Sequence, residues 1–538
     1  MSWVEHRFGR YGILMILPLL YFVFYWWQLC VFPPFFASRI DPEYVYLING
    51  LNCGIFKFPR IGHMDHPGTP FQFFTGICIR FVHVFFGKGE LVSDVFARPE
   101  LYMRGSSHIL MLLISLTIFK IGNVAYIHIS KYGALLLQTA LVFSAWLLLM
   151  QVRYTPDRFN LWLLLILIYF LVGYIFSPND SDKKYAILFG VLCGLSVAVK
   201  VNVVPILLIP FFTLRSKHLL FITMCILGFL VGVLPIIEHF HVFREFVEKL
   251  ASHDGIYGSG NERFIDPTSF VHNLKNIIRA NVVFSLVILA AIITWIWTMM
   301  QSKRVTSNKF AGYLFGFALA SLGLITLVSK HFKMYYLAPA LIFTALTLWV
   351  LFSLWNEIGG SHRKMSKPFL VVVCVSALLL AFIGVHQDII NHREKYRDSD
   401  ALIAFLDRER SVEPNYFILQ PDWLYGPSVE YGLIFGISYV RHRFEYGPQV
   451  YGRYPDVLTY EGPDNPFAKM RLEPIDEQSL LDKPKRILTL NSENRSADRV
   501  VERLQKVIGD QSVNMEMDTI PFDDQIYLLS IHLTKSNH

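Results

Sequence analysis

The feature that most constrains this chain is a recurrence of long apolar runs, near residues 11–32, 106–125, 133–152, 159–177, 185–199, 202–214, 218–237, 281–300, 310–328, 335–355 and 368–386. Runs approaching twenty residues suit helices that cross the ~30 Å hydrocarbon core of a bilayer. Short polar connections separate them, so the backbone can satisfy its hydrogen bonds within each helix. This pattern belongs to a helical bundle and not to a β-barrel. Composition agrees: of 538 residues 53% are hydrophobic and 15% aromatic, with a mean hydropathy of +0.41, where a soluble domain would show long polar surfaces. The expected fold is an α-helical polytopic membrane protein of about eleven transmembrane helices.

Charge orients the bundle. The formal net charge is +7, but the basic residues flank the apolar runs and form no basic domain, so nucleic acid is not an expected partner. With the N-terminus in the cytoplasm, the inner connections collect Arg7, Arg10, Lys120, Lys131, Lys183, Lys184, Arg215, Lys217, Lys303, Arg304, Lys309, Arg363, Lys364 and Lys367. Every inner loop is then positive, as membrane topogenesis requires. The run from Tyr11 to about Phe36 is too long for a signal-peptide core and is read as a retained signal-anchor. Two stretches decide the orientation. Pro70–Gly87 carries Gln72, Arg80 and His83 among phenylalanines and is expected to lie in the interface with its polar face to water. Tyr185–Leu214 is expected to break at Lys200 and Pro205 into two short spans.

Three segments then lie outside: 33–105, 238–280, and the tail from about 387 to 538. The membrane module is residues 1–386. The tail, 387–538, reads as a small C-terminal α/β soluble domain: helix Ser399–Arg410, strand Tyr416–Leu419, strand Arg486–Leu490, helix Ala497–Ile508 and a last strand Gln525–His532. Tyr425–Pro463, rich in Gly, Tyr and Pro, reads as ordered loops. The six cysteines show no metal-type spacing; Cys53 and Cys78 share a loop, where a disulfide or two small buried hydrophobes are the alternatives.

Several groups could carry chemistry. Ile40-Asp41-Pro42-Glu43-Tyr44 places two carboxylates just after the first span. Asp before Pro is also a good helix start, with Asp41 as N-cap and the helix running from Glu43 to about Cys53. His63-Met64-Asp65-His66-Pro67-Gly68-Thr69-Pro70 gathers two imidazoles and a carboxylate ahead of a Pro-Gly turn. Asp157 stands in Arg153-Tyr154-Thr155-Pro156-Asp157, followed by Arg158. Lys200 ends Gly194-Leu195 through Lys200, and a lysine within an apolar run is costly unless it pairs, faces a polar cavity or snorkels. Lys330-His331-Phe332-Lys333-Met334-Tyr335-Tyr336-Leu337-Ala338-Pro339 opens a late span, where juxtamembrane anchoring and an aromatic belt alone could explain the lysines and tyrosines.

Taken in order, these motifs resemble the GT-C glycosyltransferases, and among them the protein O-mannosyltransferases and aminoarabinose transferases. The resemblance covers roughly residues 10–390: an acidic pair after the first span, a glycine near Gly54, a His-Pro turn opening an interfacial helix, a second-loop acid, a Gly-Leu…Lys span and a basic, Tyr-then-Pro entry to a late span. Two departures stand out. Pro42 interrupts the acidic pair, and His-Pro-Pro appears as His66-Pro67-Gly68.

The resemblance implies transfer of a sugar from a polyprenyl-phosphate-linked donor to a glycan, lipid or protein acceptor, on the extracytoplasmic face of a bacterial inner membrane or the lumenal face of the ER membrane. The inner loops are independently too short for a nucleotide-binding domain, which argues against a nucleotide-sugar donor. Asp41 is the expected base for the acceptor hydroxyl, with Glu43 orienting the acceptor. Tyr44, Asp65, His66, Asp157, Arg158, Lys200, Lys330, His331, Lys333, Tyr335 and Tyr336 are the expected substrate contacts, the cations serving the phosphate. Asp41, Glu43, His66 and Asp157 could hold a divalent cation, magnesium, manganese or zinc. The alternatives are a lipid-linked oligosaccharide ligase or polymerase, a transporter or flippase of lipid-linked sugars, and a scaffold without catalysis.

Overall fold

A computed structural model describes residues 3–38, 41–64, 68–177, 181–252, 266–300, 308–358, 367–412, 416–419, 428–454, 457–459, 486–491, 501–502, 505, 513–522 and 527–535. In chain order the helices used below are α1 (Trp3–Val31), α2 (Glu43–Gly54), α3 (Thr69–Phe86), α4 (Pro99–His128), α5 (Pro156–Phe176), α6 (Asp182–Val199) and α7 (His218–Val233). They continue with α8 (Phe240–Ser252), α9 (Pro267–Ala280), α10 (Val282–Met300), α11 (Asn308–Lys330), α12 (Thr344–Ile358), α13 (Lys367–Val412) and α14 (Val429–Ser438). The chain divides into two compact units, one of residues 1–31, 64–71 and 107–389, the other of 32–63, 72–106 and 390–538.

The first unit is the helical bundle. Among the described residues eight helices are long and apolar enough to cross a membrane, and the chain is a multi-pass membrane protein. Seven of the eight coincide with expected runs; the eighth is Thr69–Phe86. The other four runs are helical but broken, short or charged at an end. The run 133–152 splits into Lys131–Gln138, Ala140–Val142, Ala145–Leu149 and Met150–Val152. The run 185–199 lies in α6, whose first turn holds Asp182, Lys183 and Lys184. The run 202–214 is a 3-10 turn, Val201–Leu207, continued by Leu208–Thr213, so the expected break at Lys200 is present. The run 368–386 is the first part of α13, a continuous helix of 46 residues that also contains the expected tail helix Ser399–Arg410.

Glycines set the closest approaches in this unit. A Cβ on Gly312 or Gly316 of α11 would strike the carbonyl oxygens of Phe212 and Leu208, and one on Gly323 would press on Pro205 at 3.2 Å. The α11 backbone therefore lies directly against the broken segment and runs antiparallel to it. Gly194 meets the Cys225 carbonyl in the same way, closing α6 on α7. Lys309, 3% exposed, donates to the Tyr174 and Ser177 carbonyls at 2.6 and 3.1 Å, filling the open acceptors at the end of α5.

The second unit is built on α2, every residue of which is buried. Helix α14 lies on it so tightly that a Cβ on Gly432 would stand 2.7 Å from the Tyr44 ring. Asn49 reaches the Tyr439 carbonyl at 3.3 Å, Ile61 bridges Val440, and Tyr446 donates to Asn52. A five-stranded sheet of order β2-β1-β3-β5-β4 completes the unit. The strands β1 (Tyr416–Leu419), β3 (Arg486–Asn491) and β5 (Tyr527–Lys535) were expected; β2 (Val457–Thr459) and β4 (Val513–Pro521) were not. The stretch read as loops holds α14, a helix at Gly447–Arg453 and β2, because Leu433, Phe435 and Ile437 bury against neighbours despite the glycines between them. The expected helix Ala497–Ile508 lies largely outside the described residues.

Two local expectations change. Pro42, not Asp41, stands at the N-cap position of α2, and its own side chain makes no cap bond. On α3 the polar Gln72 and Thr75 are fully buried, while Phe73, Ile77, Phe81, Val84, Phe85 and Phe86 are exposed. The outward face is therefore apolar, with Arg80 folded back over Phe56 at 4.7 Å, and not the polar face read from the sequence. Beyond α3, the short helix Leu91–Ala97 is latched through Asp94. Its carboxylate accepts from Arg98 Nε at 2.8 Å, Tyr102 Oη at 2.5 Å and the Lys88 amide at 2.9 Å. Burial alone would raise this carboxyl, but those donors and the Arg98 charge together hold it well below the usual carboxylate range. Cys53 and Cys78 are free, buried thiols; burial pushes Cys53 up to about 12.

Candidate active site

The bundle brings together three sequence motifs that are far apart in the chain. Pro156 starts α5 and Asp157 lies in its first turn, where the helix dipole favours a carboxylate. Lys200 is the C-cap of α6, where the dipole favours a cation. Lys200 Nζ donates to both Asp157 oxygens, at 2.9 and 2.7 Å, and the two side chains are only 7% and 11% exposed. The lysine therefore pairs and does not snorkel. Its ammonium also stands 4.4 Å from the Tyr336 ring centre and 5.4 Å from that of Tyr335, a cation–π roof over the pair. One turn further along α5, Asn160 donates to the Ser196 carbonyl at 3.2 Å, which carries the polar seam between the two helices inward.

The Pro-Gly turn joins this cluster through its backbone. Gly68 has φ +64°, a conformation that favours glycine, and its amide donates to the Ala198 carbonyl at 2.9 Å. Phe71 follows, packed on Tyr154 and Phe159 at 5.0 and 5.6 Å. The turn is thus tied to the end of α6 just before Lys200. Asp65 and His66 lie outside the described residues.

The remaining cations separate by environment. Arg158 is fully buried; it stacks on Tyr25 at 4.6 Å and donates to the Ser107 hydroxyl and carbonyl, so it ties α1, α4 and α5 together. Lys330 and His331 reach the Ala251 and Leu250 carbonyls at 2.7 and 3.1 Å, closing the C-terminus of α8. Lys333 is exposed, makes no ion pair among the described residues, and caps the 3-10 turn Met334–Leu337 that carries both tyrosines.

In the second unit the acidic motif divides. Asp41 is exposed and Glu43 is 1% exposed. Tyr44 is fully buried, its hydroxyl 3.4 Å from Glu100 Oε1. Burial first, then the Glu100 charge, raises the phenol well above its ordinary value. Tyr44 is therefore a packing residue, against the expectation of a substrate contact. Among the described residues no three His, Cys, Asp or Glu side chains gather as a metal site, and both Asp157 oxygens are occupied by Lys200.

Two polar residues escaped the sequence reading. Both amide atoms of Asn202 and the Ser329 hydroxyl are shut from solvent without a hydrogen-bond partner. Asn202 could have been noticed as a second polar residue just past Lys200 in an apolar run. Ser329 looks like any serine of a membrane helix.

No protein-family model matches this sequence, and no curated protein matches it. Solved structures do match. ArnT from Cupriavidus metallidurans bound to undecaprenyl phosphate superposes with a TM-score of 0.54 at 11% identity, over 98% of this chain and 98% of that one. The apo state of the same protein gives 0.52 at 11% identity, over 96% and 98%. The chain therefore has the overall fold of ArnT from Cupriavidus metallidurans, a helical membrane bundle with a small C-terminal α/β part.

Proposed function

We propose that this protein is a membrane glycosyltransferase that takes its sugar from a polyprenyl-phosphate-linked donor and passes it to a glycan, lipid or protein acceptor outside the cytoplasm. The observation that carries this reading is the buried Asp157–Lys200 pair under Tyr335 and Tyr336, with exposed Lys333 on the same turn. Such a cluster suits one charged phosphate at the end of an apolar chain. The shared fold supports the reading, since ArnT was crystallised with undecaprenyl phosphate.

In this mechanism the acceptor hydroxyl attacks the anomeric carbon of the donor sugar. The bond from that carbon to the phosphate oxygen breaks, and the lipid phosphate leaves with the electron pair. A carboxylate takes the hydroxyl proton, and Asp41 is the base that the sequence offers for it. Lys333 meets the departing phosphate, and Lys200 contributes its charge from below while Asp157 holds it in place. A phosphate leaves readily, so no strong general acid is needed. Among the described residues both Asp157 oxygens are taken by Lys200 and Glu43 is buried; no step is routed through a divalent cation.

The test is incubation of purified protein with a panel of radiolabelled polyprenyl-phosphate sugars. Release of label from one member, as transfer or hydrolysis, supports the reading. Intact donors throughout, with movement of labelled lipid across vesicles, would favour a flippase, for which the broken helix at Lys200 is the one suggestive feature.

A further inference from the structure

Helix α9 carries Lys275 and Arg279 and no aspartate or glutamate. At ~100° per residue, His272, Lys275 and Arg279 fall within about 60° of one another around the helix, and all three are exposed. Among the described residues no hydrogen bond or ion pair holds any of them. On α8, by contrast, Arg244 already has Glu248 at 3.4 Å. At one edge of the basic stripe stand Val271 and Ile278, 48% and 46% exposed.

The packed side of α9 is the opposite one. Ile277 is fully buried, and Asn273 donates to the Ser329 carbonyl at 2.9 Å. The stripe is therefore turned away from α11, whose end leads into the turn carrying Lys333, Tyr335 and Tyr336.

The next element sets the depth of the stripe in the membrane. A single residue, Asn281, separates α9 from α10. The exposed side chains Val282, Leu286, Leu289, Ile293 and Ile296 of α10 recur at helical spacing along one side, as on the lipid-facing side of a membrane helix. Helix α9 thus stands where that hydrocarbon contact ends, with apolar side chains beside cations, the arrangement of a helix at the membrane surface.

We propose that His272, Lys275 and Arg279 form a docking site for the phosphate of an anionic phospholipid whose acyl chains lie along α10. A guanidinium grips phosphate oxygens in a two-pronged hydrogen bond and an ammonium adds a point charge, while the imidazole offers a ring N–H. A zwitterionic lipid brings its own ammonium, which offsets part of this attraction, so the site prefers a headgroup of net negative charge. The occupant is a lipid of the surrounding membrane and not the sugar carrier, because the stripe faces away from the segment that meets the carrier's phosphate. This site depends on the membrane fold alone and stands whether or not the donor reading holds.

The test titrates full-length protein in detergent with dioleoylphosphatidylglycerol or dioleoylphosphatidylcholine and reads the bound lipids by native mass spectrometry. Wild type holds phosphatidylglycerol more tightly. Lys275→Gln weakens its tightest phosphatidylglycerol site about fivefold, and Lys275→Gln with Arg279→Gln about twentyfold, the worth of one and two basic residues beside an anionic lipid. Lys275→Arg, which keeps the charge, stays within about twofold of wild type. Lipid-free unfolding temperatures stay at the wild-type value, since the replaced side chains are exposed and hold nothing. The control, Lys183→Gln with Lys184→Gln in the first turn of α6, leaves the tightest site unchanged. Equal binding of the two lipids by wild type, an unchanged tightest site in the double variant, or an equal loss in the control overturns the docking site. Displacement of the tightest phosphatidylglycerol by equimolar undecaprenyl phosphate, with the same dependence on Lys275 and Arg279, overturns the phospholipid as its occupant.

Discussion

Lys200 gives two of its three N–H donors to the single carboxylate of Asp157, at 2.7 and 2.9 Å, and turns the rest of its charge toward the Tyr336 ring. Removing one member of such a pair strands the other as a buried charge. Lys200→Ala and Asp157→Ala should each lower stability by about 3–5 kcal/mol, while Lys200→Met with Asp157→Leu should cost less than the sum of the single changes. Thermal unfolding of the three variants in detergent checks this. Additive losses would mean that the pair is not coupled.

The environments of Lys330 and Lys333 predict different fates. Lys333→Ala should weaken binding of undecaprenyl phosphate by about tenfold, the effect of losing one charge-assisted contact. Lys330→Ala should leave it nearly unchanged and lower stability by about 1 kcal/mol, since Lys330 closes the end of α8. Titration of each variant with the lipid distinguishes them, and the reverse order of effects would exchange the two roles.

Asp41→Asn should yield a folded, membrane-inserted protein whose transfer rate falls about 10²- to 10⁴-fold, the usual range for loss of a general base. Asparagine keeps the size and reach of the side chain, so the unfolding temperature should stay near that of wild type. Wild-type turnover in this variant would remove Asp41 from the mechanism.

Asp94 gives a pH prediction. Its carboxyl lies well below the usual range in the folded protein and near 4, roughly, in the unfolded chain. The latch therefore contributes stability that is complete above about pH 5 and declines as pH falls through 4 toward the folded value. Asp94→Asn should cost about 2 kcal/mol at pH 7 and should flatten the fall in unfolding temperature between pH 6 and pH 3, roughly, relative to wild type. Parallel curves for the two proteins would show that Asp94 is not the group responsible.

What could be read from the sequence follows the range of the forces involved. Apolar length located seven of the eight helices able to cross a membrane among the described residues, because burial in lipid acts on whole runs. Lys200 and Asp157 were legible as costly charges in apolar surroundings, but nothing local said that they pair with each other. Lys330 and His331 looked identical in kind to Lys333; only the approach of the α8 carbonyls separates them. Tyr44 was named for its neighbours Asp41 and Glu43, and its true partner is the backbone of α14, almost four hundred residues away. The strands β2 and β4 went unread because β2 is three residues long and β4 carries Asn514, Glu516 and Asp518 among its apolar positions.

The outward face of α3 bears on how the second unit could be handled. Six large apolar side chains exposed along eighteen residues form a patch of the kind that water-soluble proteins conceal. A fragment of residues 32–106 made alone in water should precipitate or form soluble aggregates, and should disperse only with detergent or lipid. That makes secretion of this segment as a free domain a poor route to antibodies or ligand screens, and favours whole protein held in a bilayer.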